Sequence, residues 1–198
     1  MIKLYDFDLS GNAYKVRLLL SFLKLEYERI PVSLKDGEQK APEFLALNPM
    51  GQIPVLVDGE LYLRDSQAIL VYLARRYGGE KWLPTEAVAM GQVMQWLFTA
   101  GHEIQMGPSA ARVFHLFGRP LDINHANQRS HDVLRLLNQR LESRDWLELD
   151  RPTIADVACF PYIALTKDAR ISLDPYGCVQ SWIERFQQIL GYVGMPGL

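Results

Sequence analysis

The spacing of apolar residues changes character near residue 80, and this change restricts the chain to few architectures. Before it, residues 2–5 alternate like a strand, residues 16–23 repeat at helical spacing, and residues 27–32 are β-like again. After it, four long stretches have helical spacing and are separated by prolines; they lie near 87–113, 122–145, 153–167 and 176–190. The pattern predicts an α/β unit followed by an all-helical unit.

The remaining elements of the first unit follow from turn chemistry. Ala41–Leu47 is compatible with a short helix that is entered at a proline. Pro54–Val57 and Leu61–Leu63 flank the hairpin signal Asp58-Gly59-Glu60. A helix then runs from Asp65 to a pair of glycines. The predicted order is therefore β-α-β-α-β-β-α.

The boundary between the two units is marked by Gly78, Gly79 and Pro84. We predict a first domain at residues 1–78, a linker at residues 79–86 and an all-α domain at residues 87–198. Trp82 and Leu83 are expected to pack into the seam between the domains. In the second domain, Thr153 and Asp156 have the spacing of a capping box at a helix start.

Charge and composition exclude several classes of function. The 21 basic and 23 acidic residues give a net charge of −2, which provides no basic field for nucleic acid or an anionic membrane. There is no signal-peptide pattern and no apolar run of membrane-spanning length, so we expect a soluble cytoplasmic protein. Cys159 and Cys178 are predicted to be free thiols, with Cys159 in the core. Phosphate-loop and histidine metal motifs are absent, and no nucleotide or metal is expected.

Two segments of the first domain carry a specific resemblance. The segment QKAPEFLALNPMGQIPVL at residues 39–56, followed by LRDSQAI at residues 63–69, resembles cytosolic glutathione S-transferases. The resemblance is most specific over residues 10–77 and extends in layout to the whole chain. It implies a thioredoxin-like N-terminal domain, an all-α C-terminal domain, glutathione as cosubstrate and a homodimer.

The resemblance also implies binding roles at the γ-glutamyl end of glutathione. Ser66 would hold the γ-glutamyl carboxylate at the start of a helix, where free amides and the dipole attract an anion. Asp65 would face the ammonium group, and Gln52 would lie nearby. The alternative from local chemistry is that Asp65 or Ser66 simply caps the helix.

The rest of glutathione would meet three further positions. Ile53-Pro54 resembles the family's cis-proline turn, which exposes the Ile53 amide and carbonyl to the cysteinyl backbone. A trans proline at the start of an edge strand is the alternative. Gln39 and Lys40 lie where relatives place polar or basic residues against the glycyl carboxylate.

Thiol activation is assigned to the turn before the first helix. The thiolate is the nucleophile, so the site must stabilise negative sulfur. Ser10 and Asn12 lie in this turn, where a hydroxyl, backbone amides and the helix dipole can converge, as in bacterial-type, serine-type members of the family. Ser10 or Asn12 could equally be a helix N-cap. Tyr5 is the reserve candidate for the activating group.

The expected electrophile site lies between the domains and is apolar. Its wall is predicted to come from one long helical stretch containing Met94, Trp96, Leu97, Phe98, Met106, Val113, Phe114 and Phe117. The alternative, which helical spacing alone favours, is that this stripe belongs to the ordinary core or to a dimer interface. Arg112 and Arg119 could orient an acidic substrate, although a solvated face is the favoured interpretation. The leading prediction is a transferase that joins glutathione to small hydrophobic electrophiles. A glutathione-dependent disulfide or peroxide reductase and a non-catalytic binding protein are the alternatives.

Overall fold

The first part of the computed structural model, which describes residues 1–198, is built around one four-stranded sheet. Its elements are β1 (Ile2–Asp6), α1 (Gly11–Phe22), β2 (Tyr27–Pro31), α2 (Pro42–Leu47), β3 (Val55–Asp58), β4 (Leu61–Arg64) and α3 (Ser66–Leu73). The strand order is β2-β1-β3-β4. β1 and β2 are parallel, and the other two pairs are antiparallel. This confirms the predicted thioredoxin-like arrangement.

The second part is helical, as predicted, but its first long stretch is divided. The helices are α4 (Ala87–Gly101), α5 (Ala110–Phe117), α6 (Ile123–Leu141), α7 (Ile154–Ala164) and α8 (Gly177–Gln187). Between α4 and α5 lies a π-helical turn, Gln105–Ser109, that contains Pro108. Proline has no amide hydrogen to donate, so Pro108 removes a hydrogen bond from the α-helical ladder and favours a break at this turn. None of the helices combines the length and the apolar character needed to span a bilayer.

One apolar core runs through both parts of the chain. Helix α7 is buried on every side from Ile154 to Ile163, which is typical of a central helix. Trp82 stacks on Phe22 of α1 at 5.3 Å between ring centroids, and its carbonyl accepts a hydrogen bond from the Ile154 amide at 3.0 Å. Because the core is continuous, the division at residues 79–86 stays a prediction about domains.

The start of α7 is fixed by a buried carboxylate. Asp156 accepts hydrogen bonds from the Thr153 amide, the Leu147 amide and the Trp182 indole, each at 3.0 Å. The Thr153 hydroxyl accepts from the Ala155 amide at 3.1 Å. Burial raises the pKa of Asp156 to about 6, against the opposing effect of its donors. This cluster joins α7, α8 and the segment before α7.

The sheet register brings three chain segments to one edge. Tyr5 pairs with Val55, and Val55 pairs with Arg64. The end of β1, the start of β3 and the end of β4 therefore lie side by side. The turn at Ser10, the Ile53-Pro54 bond and the start of α3 consequently meet at the same edge of the sheet.

Candidate functional site

A cleft of about 600 Å³ opens at this edge. The residues with predicted site roles that line it are Ser10, Asn12, Gln39, Lys40, Gln52, Ile53, Pro54, Asp65 and Ser66. The helical part contributes Gly101, Gln105 and Arg119. The structure thus brings all nine residues of the predicted glutathione site to a single cleft between the sheet edge and the helical part.

Ser10 is the N-cap of α1. Its hydroxyl oxygen accepts a hydrogen bond from the Ala13 amide at 3.1 Å, so the capping interpretation is correct for this residue. A hydroxyl has one proton to donate as well as lone pairs to accept. Capping therefore leaves the Ser10 proton available to an acceptor in the cleft, next to the positive end of the helix dipole.

Asn12 lies within the first turn of α1, whereas the sequence predicts it in the turn before the helix. The reason is that Ser10 caps the helix, which then begins at Gly11. The Asn12 side chain is held at both ends: Nδ2 donates to Gln105 Oε1 at 3.3 Å, and Oδ1 accepts from Lys15 Nζ at 2.9 Å. It thereby connects α1 to the helical part.

Asp65 is the N-cap of α3, so the capping alternative is also what the structure shows here. One carboxylate oxygen, Oδ1, accepts from the Gln67 amide at 2.9 Å and the Ala68 amide at 3.2 Å, which leaves Oδ2 free. The backbone φ of Asp65 is +71°, a region that favours glycine and costs other residues about 1–3 kcal/mol. Ser66 is buried beside it, with Oγ 3.5 Å from Asn12 Oδ1.

The Ile53-Pro54 peptide bond is cis, as the resemblance implied, and the trans alternative is wrong. Neither the amide nor the carbonyl of Ile53 forms a hydrogen bond within the protein. The turn before it is ordered by the Asn48 side chain. Its Nδ2 donates to the Gln52 carbonyl at 2.7 Å, and its Oδ1 accepts from the Met50 backbone amide at 3.0 Å. The sequence pattern marks Asn48 only as a turn residue, and the structure adds its burial and its two side-chain hydrogen bonds.

Gln39 and Lys40 reach the cleft beside Gly51. Gln39 Oε1 is buried without a donor, and Lys40 Nζ lies 3.3 Å from the Met50 carbonyl. Gly51 has a φ of +59°, and a β-carbon there would come within 2.6 Å of Lys40 Nζ and 2.8 Å of the Gln39 carbonyl. The unpaired Gln39 acceptor is the kind of buried polar atom that a ligand can satisfy.

The charged side chains at the cleft are mostly basic. The cleft is lined by three basic side chains, Lys40, Arg64 and Arg119, and by one acidic side chain, Asp65. Arg119 follows α5 and forms no ion pair or hydrogen bond within the protein. The excess of positive charge suits an anionic ligand. Gln105 and Arg119 reach the cleft through tertiary packing, and no local motif marks them.

The predicted apolar wall is largely wrong. Of its eight side chains, Met106 and Val113 line a smaller pocket of about 390 Å³, which shares Gln105 and Arg119 with the cleft. Trp96 is buried in the core, and Phe98 is 71% exposed. Helical spacing identified apolar positions, but it could not determine which side of each helix faces the cleft.

Tyr5, Arg112 and Cys159 lie away from the cleft. Tyr5 packs edge-on against Phe44 at 6.0 Å, under α2, so the reserve candidate for thiol activation is not at the cleft. Arg112 is buried and donates to Asp168 at 2.9 Å and to the Leu9 carbonyl at 2.7 Å, so neither a solvated face nor a substrate contact describes it. Burial raises the pKa of Cys159, which keeps that thiol protonated.

A separate cavity of about 540 Å³ lies between α4 and α6. Its buried carboxylate, Glu148, pairs with Arg140 at 2.6 Å and accepts from the Trp96 indole at 2.9 Å. These bonds satisfy the carboxylate, which makes this cluster a structural one.

The sheet, the cis-proline turn and the helical second part define a thioredoxin-like protein with an added helical region. Comparison with known proteins specifies the family. Residues 1–75 match the family described as "Glutathione S-transferase, N-terminal domain". Over 94% of the chain and 90% of the relative, the sequence is 36% identical to "Disulfide-bond oxidoreductase YfcG" of Escherichia coli. It is 34% identical to "Glutathione S-transferase 3" of Zea mays, over 98% of the chain and 96% of the relative.

A solved structure agrees with these relatives. The crystal structure of a glutathione S-transferase from Pseudomonas fluorescens superposes with a TM-score of 0.93 at 31% identity, and the match covers 98% of both chains. The protein therefore belongs to the glutathione S-transferase family.

Proposed function

We propose that the protein binds glutathione in the cleft at the sheet edge and transfers its thiol to an electrophile. One observation carries the proposal: a free hydroxyl proton at Ser10, an unpaired backbone amide and carbonyl at Ile53, and the N-terminus of α3 at Ser66 surround the same cleft. These are the donors and acceptors that a tripeptide with a thiol and an end carboxylate needs. Family membership supports the choice of glutathione.

The γ-glutamyl end of glutathione is assigned to the start of α3. The Ser66 hydroxyl and amide bind the α-carboxylate, where the helix dipole favours negative charge. The free Oδ2 of Asp65 accepts from the ammonium group, and exposed Gln52 contacts the same end of the ligand. The strained φ of Asp65 supports this role, because strain in a native structure concentrates at functional sites.

The other two residues of glutathione are assigned to the opposite side of the cleft. The cysteinyl backbone pairs with the Ile53 amide and carbonyl as a short additional strand, held by the Pro54 turn. The glycyl carboxylate accepts from Lys40 Nζ, and Gln39 Oε1 accepts from an N–H of the ligand. The assignments at Ile53, Asp65 and Gln39 pair unsatisfied protein groups with complementary groups of the tripeptide. Ser66 Oγ now donates to the side chains of Gln67 and Asn12, and Lys40 Nζ donates to the Met50 carbonyl, so both would exchange these partners for a carboxylate of the ligand.

The chemistry needs a stabilised thiolate. A free thiol with a pKa near 8.5 is mostly protonated at neutral pH. The Ser10 hydroxyl donates to the sulfur, and Asn12 Nδ2 and the positive end of α1 add to this stabilisation. The thiol proton passes to solvent, the thiolate forms a C–S bond with the electrophile, and the leaving group departs with its electron pair.

Disulfide reduction is the second candidate, and the polarity of the cleft favours it. Beside the proposed thiol position lie Gln67, Gln105 and the unpaired Arg119 instead of the expected apolar wall. The similarity to an oxidoreductase of disulfide bonds also supports it. In that reaction one glutathione thiolate attacks the disulfide and releases a thiol. A second glutathione then releases the other thiol, leaving glutathione disulfide.

A homodimer in the cytoplasm completes the proposal. The family resemblance implies the dimer, and Tyr62, Val88 and Phe98 provide exposed apolar surface that a second copy could cover. Light scattering that finds only monomer at working concentration would contradict the dimer.

Parallel assays test the function. An aryl halide, an organic hydroperoxide and a small disulfide are each offered with glutathione, to wild type, Ser10→Ala and the control Ser143→Ala, whose serine is exposed and unbonded. We expect Ser10→Ala to lower kcat at least tenfold while glutathione affinity changes little, since the hydroxyl acts on charge that develops at sulfur. If the disulfide and the hydroperoxide are turned over and the aryl halide is not, the result supports the reductase. Glutathione binding without any turnover selects the non-catalytic alternative, and no binding refutes the site.

A further inference from the structure

Lys15 is a buried cation without a counter-ion, directly behind the cleft. Its side chain on α1 has no solvent exposure, and no carboxylate lies within ion-pair distance. The ring of Tyr162 lies 5.5 Å from Nζ, and Asp65 and Cys159 are the other titratable groups that act on it. A buried charge without a partner is costly. A chain that keeps one therefore calls for a physical reason.

The single hydrogen bond of the Lys15 side chain identifies that reason. Nζ donates to Asn12 Oδ1 at 2.9 Å. An ammonium group can only donate, so it selects the oxygen end of the Asn12 amide. The nitrogen end must then face the cleft, where Nδ2 lies 3.3 Å from Gln105 Oε1. Ser66 Oγ also donates to Oδ1, at 3.5 Å, but the Lys15 bond is the shorter of the two and the only one from a charged donor. Lys15 is therefore the strongest contact that makes Asn12 present N–H donors, rather than a carbonyl oxygen, on the side of Gln105.

The protonation state of Lys15 is compatible with this task. Burial lowers the pKa of Lys15 to about 8, so the ammonium form predominates at neutral pH. Asp65 opposes this effect only partly, and its own carboxylate is engaged in capping α3. Above this pKa the neutral amine gains an acceptor lone pair and no longer distinguishes the two ends of the amide.

We propose that Lys15 is a positioning residue, which orients the Asn12 amide so that its N–H donors face the glutathione sulfur and stabilise the thiolate. The inference rests on the proposed glutathione site and assigns a function to a residue that has no contact with the cleft. A residue kept only for packing would affect stability without changing the acidity of the bound thiol.

The test is a double-mutant cycle read by the pKa of bound glutathione. The thiolate absorbs in the ultraviolet, so its fraction can be titrated in saturated complexes of wild type, Lys15→Met, Asn12→Ala and the double variant. Methionine keeps most of the chain length and removes both charge and donors, and replacing a buried charge with an apolar residue is often tolerated. Lys3→Met, at an exposed lysine, is the control.

We expect Lys15→Met to lower the ionisation constant of the bound thiol by about tenfold, as expected for losing a charge-assisted hydrogen bond. In the Asn12→Ala background the same substitution should change it by less than about twofold, because the amide through which Lys15 acts is gone. Lys15→Gln, which is smaller and neutral, serves as the second variant if Lys15→Met does not fold, and it should shift the thiol pKa in the same direction.

Two results overturn the proposal while leaving the glutathione site intact. One is an unchanged thiol pKa in a folded, saturated neutral variant of Lys15. The other is an equal effect in the Asn12→Ala background, which would mean that Lys15 acts independently of the amide. If bound glutathione has an ordinary thiol pKa in the wild type, thiol activation itself is refuted, and the role of Lys15 is refuted with it.

Discussion

Gly11, which follows the capping residue Ser10, packs closely against Tyr162 of the helical part of the chain. A β-carbon at Gly11 would lie 2.7 Å from both Cε1 and Cζ of Tyr162, whereas carbon atoms in contact prefer about 3.5–4.0 Å. Tyr162 is held in place, because it is buried on the central helix α7, which is enclosed from Ile154 to Ile163. Gly11→Ala should therefore displace the start of α1 by about 1 Å.

The expected cost has two components. Overpacking of this kind destabilises by about 1–3 kcal/mol, which for a chain of this size lowers Tm by about 2–12 °C. A 1 Å displacement of Ser10 from its working position should lower kcat/KM by up to about a hundredfold. The activity loss should exceed what the loss of stability explains, because the displaced residue is the proposed donor to sulfur.

The assay compares Gly11→Ala with Gly91→Ala, a helical glycine on α4 with open space around it. Melting temperature and kcat/KM with glutathione are measured for both. A third protein, Gly11→Ala combined with Tyr162→Leu, removes the ring atoms that the new methyl group meets, and should recover much of the loss. Equal behaviour of Gly11→Ala and Gly91→Ala would refute the contact and the role assigned to it.

Three further perturbations have defined outcomes. Asp156→Ala leaves three buried donors without an acceptor and should lower the free energy of unfolding by about 4 kcal/mol, measured by chemical denaturation. The control Asp122→Ala, which removes an exposed helix cap, should lower it by about 1 kcal/mol. Equal losses in the two variants would contradict this prediction. Because burial lowers the pKa of Lys15 from 10.5 to about 8, the unfolded state binds the extra proton between these values. Wild type should therefore gain up to about 3 kcal/mol relative to Lys15→Met as pH rises through that window, and parallel pH profiles would disprove it. Arg119→Gln should lower kcat/KM about tenfold for an anionic disulfide and change it little for a neutral acceptor. The control is Arg144→Gln, at an arginine outside the cleft. If kcat/KM falls for neither substrate, Arg119 has no role in substrate binding.

The sheet and its connections were predictable because each depends on local chemistry. Alternating segments, the Asp58-Gly59 turn and the glycines after α3 specify elements within a few residues of themselves. The resemblance over residues 39–69 then linked three separated turns to one ligand. The division of the 87–113 stretch was missed, since apolar spacing continues through Pro108 while the backbone ladder does not.

The far side of the cleft was less predictable, for a physical reason. Gln105 and Arg119 lie far from the sheet along the chain. They reach the cleft only because of the way α4 and α5 pack. Lys15 looks like an ordinary charged residue of a helix, and its complete burial becomes evident only when α7 is placed against α1. Capping explains Ser10 and Asp65 locally, yet each keeps a free atom at the cleft, so the structural and functional interpretations coexist.

A crystal structure of the protein with glutathione is the most direct test of the central claim. The proposal predicts the sulfur within hydrogen-bond distance of Ser10 Oγ, the cysteinyl backbone paired with Ile53, and the γ-glutamyl carboxylate at Ser66. Glutathione bound elsewhere, or bound here with its sulfur turned away from Ser10 and Asn12, would contradict it.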